Sequence, residues 1–330
     1  MMRPSAVRPT IPLDAPGVHH GHLRLPWSRD DSAWGNLLVP ITVVAGGRGP
    51  TALLTGGNHG DEYEGPIALA KLANELDPAR LSGRVIILPF MNHPAVRAGR
   101  RTSPIDGGNM NRSFPGRPDG TPTEKIADYV YRHLLPPADI VLDFHSGGRT
   151  LDFLPYAACH LLDDEEQQAR CLAAMRAFGA PYSMTMREID AVGMFDTAAE
   201  AMGKTFVTTE LGGRGTATAL SVAIAERGLR DVLRHAGILE GSVVERPSVM
   251  LDMPSDDCFH FADAEGLLEL TADLGERVER GMVLARIHDV TRTGRAAHEV
   301  RARMTGILAT RHHAGSIQMG DCLAVVAVPR

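Results

Sequence analysis

Gly56-Gly57-Asn58-His59-Gly60-Asp61-Glu62-Tyr63-Glu64-Gly65 is the stretch from which the fold is read. Before it lies the apolar run 52–55, short and bounded by turn-forming residues, as a buried central strand is. After it, Pro66 suits a first helical turn, and Leu69, Leu72, Ala73 and Leu76 then share one face. The glycine-rich segment is therefore a loop between a strand's C-terminal end and a helix. Sheets of the α/β class place their ligands there.

The same alternation recurs on both sides. Apolar runs at 37–44, 85–90, 140–144 and 205–211 read as further strands. Helices are expected at 123–134, 165–178 and 217–235. Strands alternating with helices predict an α/β sheet covered on both faces. Residues 1–35 carry Pro, Gly and His with little periodicity and are expected to be an irregular lead-in. A catalytic domain is expected over 36–245. Pro247, Pro254 and several acids then break the pattern, and residues 255–330 read as a small all-β domain.

This last region contains an internal echo. Gly266, Gly275, Gly281 and the apolar run 282–287 are answered by Gly306, Gly315, Gly320 and the run 322–328. The half-repeat resembles the two halves of a biotinyl/lipoyl-type β-sandwich, which carries its cofactor on a lysine in the central hairpin. That hairpin, residues 288–300, holds no lysine, and none follows Lys204, so the carrier role fails.

Composition narrows the function. Of 330 residues, 44% are hydrophobic and 22% charged, as in a soluble globular chain. No run approaches the ~18 apolar residues of a membrane span, and the first 17 residues lack a signal-peptide core. A net charge of −6 argues against a nucleic-acid partner. Cys159, Cys171, Cys258 and Cys322 are far apart, which suits reduced thiols in a cytoplasmic protein.

Four segments carry candidate chemistry. His59 and Glu62 form an H-x-x-E pair in a tight turn, able to reach one metal. His145 ends the 140–144 strand and enters a glycine turn, the same placement as His59. A His₂Glu set leaves one zinc position for water, the arrangement of a hydrolytic site, and bound zinc lowers the pKa of such a water to about 7. Asp143 and Asp61 either hold the ligand N–H groups or close their turns. The segment 100–114 is a long loop rich in Gly, Asn and Pro. In it Arg112 can grip a substrate carboxylate with two donors, and Arg101 can stabilise an oxyanion, although each is one of 31 arginines. Glu210 ends the 205–211 strand before Gly212 and reads either as a general base or as a helix cap.

Other clusters are weaker. His19, His20 and His22 have no acid at ligand spacing, and His312 and His313 are expected to face solvent. The stretch Gly212-Gly213-Arg214-Gly215 lacks the lysine of a phosphate loop.

Taken in order, G-x-H-G-x-E at 57–62, Asn111-Arg112, His145 of D-F-H and Glu210 of T-E-L-G resemble the succinylglutamate desuccinylase/aspartoacylase family of zinc amide hydrolases. The resemblance implies a zinc-carboxypeptidase-like mixed sheet flanked by helices. It implies one Zn²⁺ per chain on His59, Glu62 and His145, with Glu210 as catalytic base. Asn111 and Arg112 would grip the substrate carboxylate, and Arg101 would polarise the carbonyl, with Arg97 and Arg100 as competitors for that part. Stretches 20–35, 105–116 and 144–148 are most similar to the branch that deacetylates N-α-acetyl-L-2,4-diaminobutyrate. The expected partner is thus a small-molecule N-acyl amino acid, with a homodimer as a possible assembly. Aspartoacylase or desuccinylase activity and a carboxypeptidase-like peptidase stand as alternatives.

Overall fold

Four parallel strands make the centre of the sheet in the order Arg84–Leu88, Thr51–Gly56, Ile140–His145, Thr205–Glu210. Their side chains are buried almost throughout, which is why they read as continuous apolar runs rather than alternating ones. The structure, a computed structural model, describes residues 3–186 and 191–330. Antiparallel strands Asn36–Ala45 and Gly17–Pro26 extend one side. On the other side Tyr156–His160 runs antiparallel to Thr205–Glu210, and Tyr182–Met186 and Val249–Asp252 follow it. The sheet is therefore mixed.

Helices cover both faces. Glu64–Glu75, Glu165–Phe178 and Ala219–His235 pack over one face around Leu69, Leu72, Phe144, Phe178 and Leu229. Pro122–Tyr129 and Phe195–Glu200 pack on the other, with Ile126, Phe195 and Phe206 in that core. Local chemistry sets the helix starts: Thr121 and Thr218 each cap their helix through the side chain, and Thr121 forms a reciprocal box with Glu124. Among the described residues no helix is long and apolar enough to cross a membrane.

Three expectations need correction. The lead-in is not irregular: Gly17–Pro26 pairs with Asn36–Ala45 along its whole length. One of its faces meets solvent, so its His, Gly and Pro content hid the strand. The helix expected over 123–134 ends as an α-helix at Tyr129 and continues as a wider π-type turn over Val130–Leu134. His312 does not face solvent; it is buried, with its two ring nitrogens 3.3 and 3.2 Å from the carbonyls of Cys322 and Ser316, while His313 is exposed.

The C-terminal region folds into two packed layers. Gly266–Leu270 pairs with Val283–His288 in a separate four-stranded sheet, and Gly306–His312 pairs with Cys322–Pro329 in the main sheet. The first half of the sequence echo thus supplies an antiparallel pair to one layer and the second half a pair to the other, around Val278, Leu284, Leu308 and Leu323. Cys322–Pro329 also pairs with Val249–Asp252, so hydrogen bonding runs unbroken from the central sheet into this region.

Candidate active site

Parallel register brings the ends of three strands to one level. His145 is the cross-strand partner of Glu210, and Phe144 is the partner of Gly56. The chain leaves Gly56 through Gly57 at φ +67°, with the carbonyls of Gly56 and Gly57 accepting from Met91 and Asn92 N–H. Close approach then demands glycine twice. A Cβ at Gly60 would lie 2.0 Å from the backbone carbon of Ala95, and one at Gly65 would lie 2.0 Å from Cβ of Phe144. This packing turns His59 and Glu62 inward, both about 3% exposed.

Glu62 is the hub. One carboxylate oxygen lies 2.7 Å from His59 Nδ1 and the other 3.0 Å from His145 Nδ1. Among the described residues, these three form a group whose ligand atoms all lie within 4.8 Å of one another. Burial disfavours the Glu62 charge, yet the two imidazoles outweigh it and hold the carboxyl well below its usual range. His145 is also buried, but Asp143 and Glu62 push its imidazole well above the ordinary histidine value. Burial lowers His59, against the pull of Glu62. Two imidazoles and an ionised carboxylate converging in a buried turn are the donor set of a catalytic zinc site, so these residues fit that metal.

Polar groups also meet the outer nitrogens of both rings. Asp143 Oδ2 lies 2.9 Å from His145 Nε2, and Asn109 Oδ1 lies 3.2 Å from His59 Nε2. Of the two aspartates singled out in the sequence, Asp143 reaches His145, whereas Asp61 accepts the backbone N–H of Arg149 and closes a turn.

A cavity of about 530 Å³ opens over the three groups. Glu210, Arg101, Asn111 and Arg112 all line it, whereas Arg97 and Arg100 do not. Arg101 Nη1 stands 3.5 Å from Glu62 Oε1 with its side chain half exposed. Asn111 is buried, and its Oδ1 accepts the Phe195 N–H. Glu210 borders the cavity, and its Oε2 is shut off from solvent with no hydrogen-bond partner among the described residues. Burial, with Glu62 adding to it, pushes this carboxyl up to about 8.

Several cavity residues had no signal in the sequence. Tyr156, His160 and Asp196 come from elements too short for a periodicity argument. Met253, Phe259, Thr310, Cys322 and Val325 reach the cavity from the C-terminal region. Asn109 lay within the loop already singled out, but its contact with His59 depends on how that loop folds back.

The chain is similar to known proteins over nearly its whole length. Residues 48–236 match the succinylglutamate desuccinylase/aspartoacylase catalytic domain. The chain is 57% identical over 327 residues to the N-alpha-acetyl-L-2,4-diaminobutyric acid deacetylase of Halomonas elongata, covering 98% of this chain and 96% of that one. It superimposes on the product-bound structure of the ectoine utilization protein EutE (DoeB) from Ruegeria pomeroyi with a TM-score of 0.97, at 59% identity over 99% of both chains. A succinylglutamate desuccinylase/aspartoacylase from Rhodobacter sphaeroides gives a TM-score of 0.94 at 39% identity, covering 99% of this chain and all of that one.

Proposed function

The chain belongs to the succinylglutamate desuccinylase/aspartoacylase family, and on that premise we propose that it is a zinc-dependent amide hydrolase. Its substrate is N-α-acetyl-L-2,4-diaminobutyrate, and its products are acetate and L-2,4-diaminobutyrate in the breakdown of ectoine. One observation carries the catalytic reading: Glu210 shares one cavity with the converging His59, Glu62 and His145. The substrate reading is supported by the Halomonas elongata relative and by the ectoine utilization protein.

His59, Glu62 and His145 hold one zinc ion, which supplies Lewis acidity to water and to the amide carbonyl. The remaining work falls to the protein's own groups. Glu210, which borders the cavity beside the three groups, takes a proton from the attacking water and returns it to the leaving nitrogen. Arg101 reaches into the cavity and offers N–H donors to the oxygen that gains charge as the carbonyl carbon becomes tetrahedral. Arg112, with Asn111 beside it, holds the α-carboxylate through its planar fork. Asp143 and Asn109 keep the two imidazoles in place.

In this reading residues 1–35 lead in, 36–245 form the catalytic domain, and 255–330 form a β domain of the biotinyl/lipoyl type that closes one side of the cavity instead of carrying a cofactor. Four free cysteines, three of them buried, suit a reducing cytoplasm. The test is release of the free amino group from a panel: N-α-acetyl-L-2,4-diaminobutyrate, N-acetylaspartate, succinylglutamate and a short peptide. The first should lead by kcat/KM, and a lead for any other overturns the assignment.

A further inference from the structure

Tyr156 belongs to none of the motifs, yet it lines the same cavity as His59, Glu62, His145 and Glu210. It opens the strand Tyr156–His160 and is 5% exposed. Phe153, another cavity residue, meets its ring edge-on with the centroids 6.0 Å apart. Among the described residues none hydrogen-bonds its hydroxyl. Burial, with Glu210 adding to it, pushes the phenol well above its ordinary value, so the hydroxyl keeps its proton. A buried hydroxyl with no partner in the protein is costly unless a ligand supplies one.

Strand pairing gives this tyrosine its place. Glu210 is the cross-strand partner of His145 on one side and of Tyr156 on the other. Partners in register point to the same face of a sheet. His145, Glu210 and Tyr156 therefore stand in a row, with the glutamate between the imidazole and the phenol. In the proposed function the water that Glu210 deprotonates comes from the side of His59, Glu62 and His145. The nitrogen that Glu210 then protonates must also reach its carboxyl. The amino-acid half of the substrate thus extends across Glu210 toward Tyr156.

We infer that Tyr156 is a further catalytic residue whose hydroxyl oxygen accepts the N–H of the scissile amide; this rests on the amide-hydrolase reading above. Once the carbonyl carbon is tetrahedral, the nitrogen carries one hydrogen and one lone pair. Holding the N–H at Tyr156 turns the lone pair toward Glu210, which has the proton it took from water. The water oxygen bonds to carbon, the C–N bond breaks, and that proton goes to nitrogen. The second water proton follows it, so acetate and a primary ammonium leave. A site built to accept an N–H also discriminates against an ester, which has none to offer.

The experiment compares N-α-acetyl-L-2,4-diaminobutyrate with 2-acetoxy-4-aminobutyrate, the same molecule with an ester oxygen in place of the N–H. Both are assayed at neutral pH, where the ammonium is protonated, with metal-loaded wild type and Tyr156→Phe. The variant keeps the ring and loses the acceptor. It should lose on the order of 10-fold in kcat/KM on the amide and little on the ester. A phosphonamidate and the matching phosphonate ester, mimics of the tetrahedral stage, should show the same split in calorimetric affinity without turnover. Equal losses on amide and ester, or no loss on either, would mean that Tyr156 only packs beside Phe153; the assignment then falls while the hydrolase reading stands. A metal-loaded wild type that cleaves no N-acyl amino acid overturns both.

Discussion

Asp143 holds His145 by its outer nitrogen: Oδ2 lies 2.9 Å from Nε2, leaving Nδ1 turned toward Glu62. The carboxylate is itself fixed, since Thr55 donates its hydroxyl to Oδ1 at 2.6 Å and Asn58 an amide N–H to Oδ2 at 2.7 Å. Such a chain sets the ring's orientation before any metal arrives. Asp143→Asn should therefore weaken zinc binding by ~10–100-fold while the fold persists. Competition with a chromophoric chelator measures this, and unchanged affinity would reduce Asp143 to a turn residue. His145→Ala should lose zinc altogether by elemental analysis.

Glu210 should separate from the ligands in the same assay. Glu210→Ala keeps one zinc per chain and loses ~10²–10⁴ in kcat, the usual share of proton transfer. Loss of the metal from this variant would make Glu210 a ligand, and near-normal turnover would make it a cap.

The raised carboxyl of Glu210 also predicts how metal-free protein responds to pH. Its folded value of about 8 lies above the ordinary value near 4.5. The folded state thus binds the proton more tightly than the unfolded chain does. The associated stability is full below about pH 4.5 and is lost as pH rises toward 8. Urea midpoints of the chelated protein should fall over that window, and Glu210→Gln should flatten the fall. Equal slopes in the two proteins would contradict the burial argument.

Arg112→Lys keeps the charge and loses the planar fork, so it should raise KM far more than it lowers kcat. Methyl esterification of the substrate should then harm wild type much more than the variant. Matching losses would assign the arginine elsewhere.

Gly65→Ala tests the packing that sets the His59–Glu62 turn. The added Cβ would fall 2.0 Å from Cβ of Phe144, the neighbour of His145 in the chain. Relieving that overlap should cost about 1–3 kcal/mol in denaturant unfolding and loosen zinc binding with it. Wild-type stability in the variant would show that the helix Glu64–Glu75 can shift freely.

Much of this was determined by the sequence itself. The four central strands and the helix Glu165–Phe178 were legible because a doubly covered parallel strand is apolar along its length and an amphipathic helix repeats every 3.6 residues. His59, Glu62, His145 and Glu210 were legible because polar residues at the mouths of apolar runs, followed by glycine, break the local pattern. Tertiary structure decided the rest. Strands such as Tyr156–His160, of Tyr, Ala, Cys and His, carry little local signal and form by pairing with neighbours. The His59–Asn109 contact spans 50 residues, and the cavity wall from Met253, Phe259 and Val325 comes from the far end of the chain. The Phe195 N–H donates to the Asn111 side-chain Oδ1 across 84 residues. Periodicity reports only what a residue's own element buries, so contacts made between elements became visible once the chain was folded.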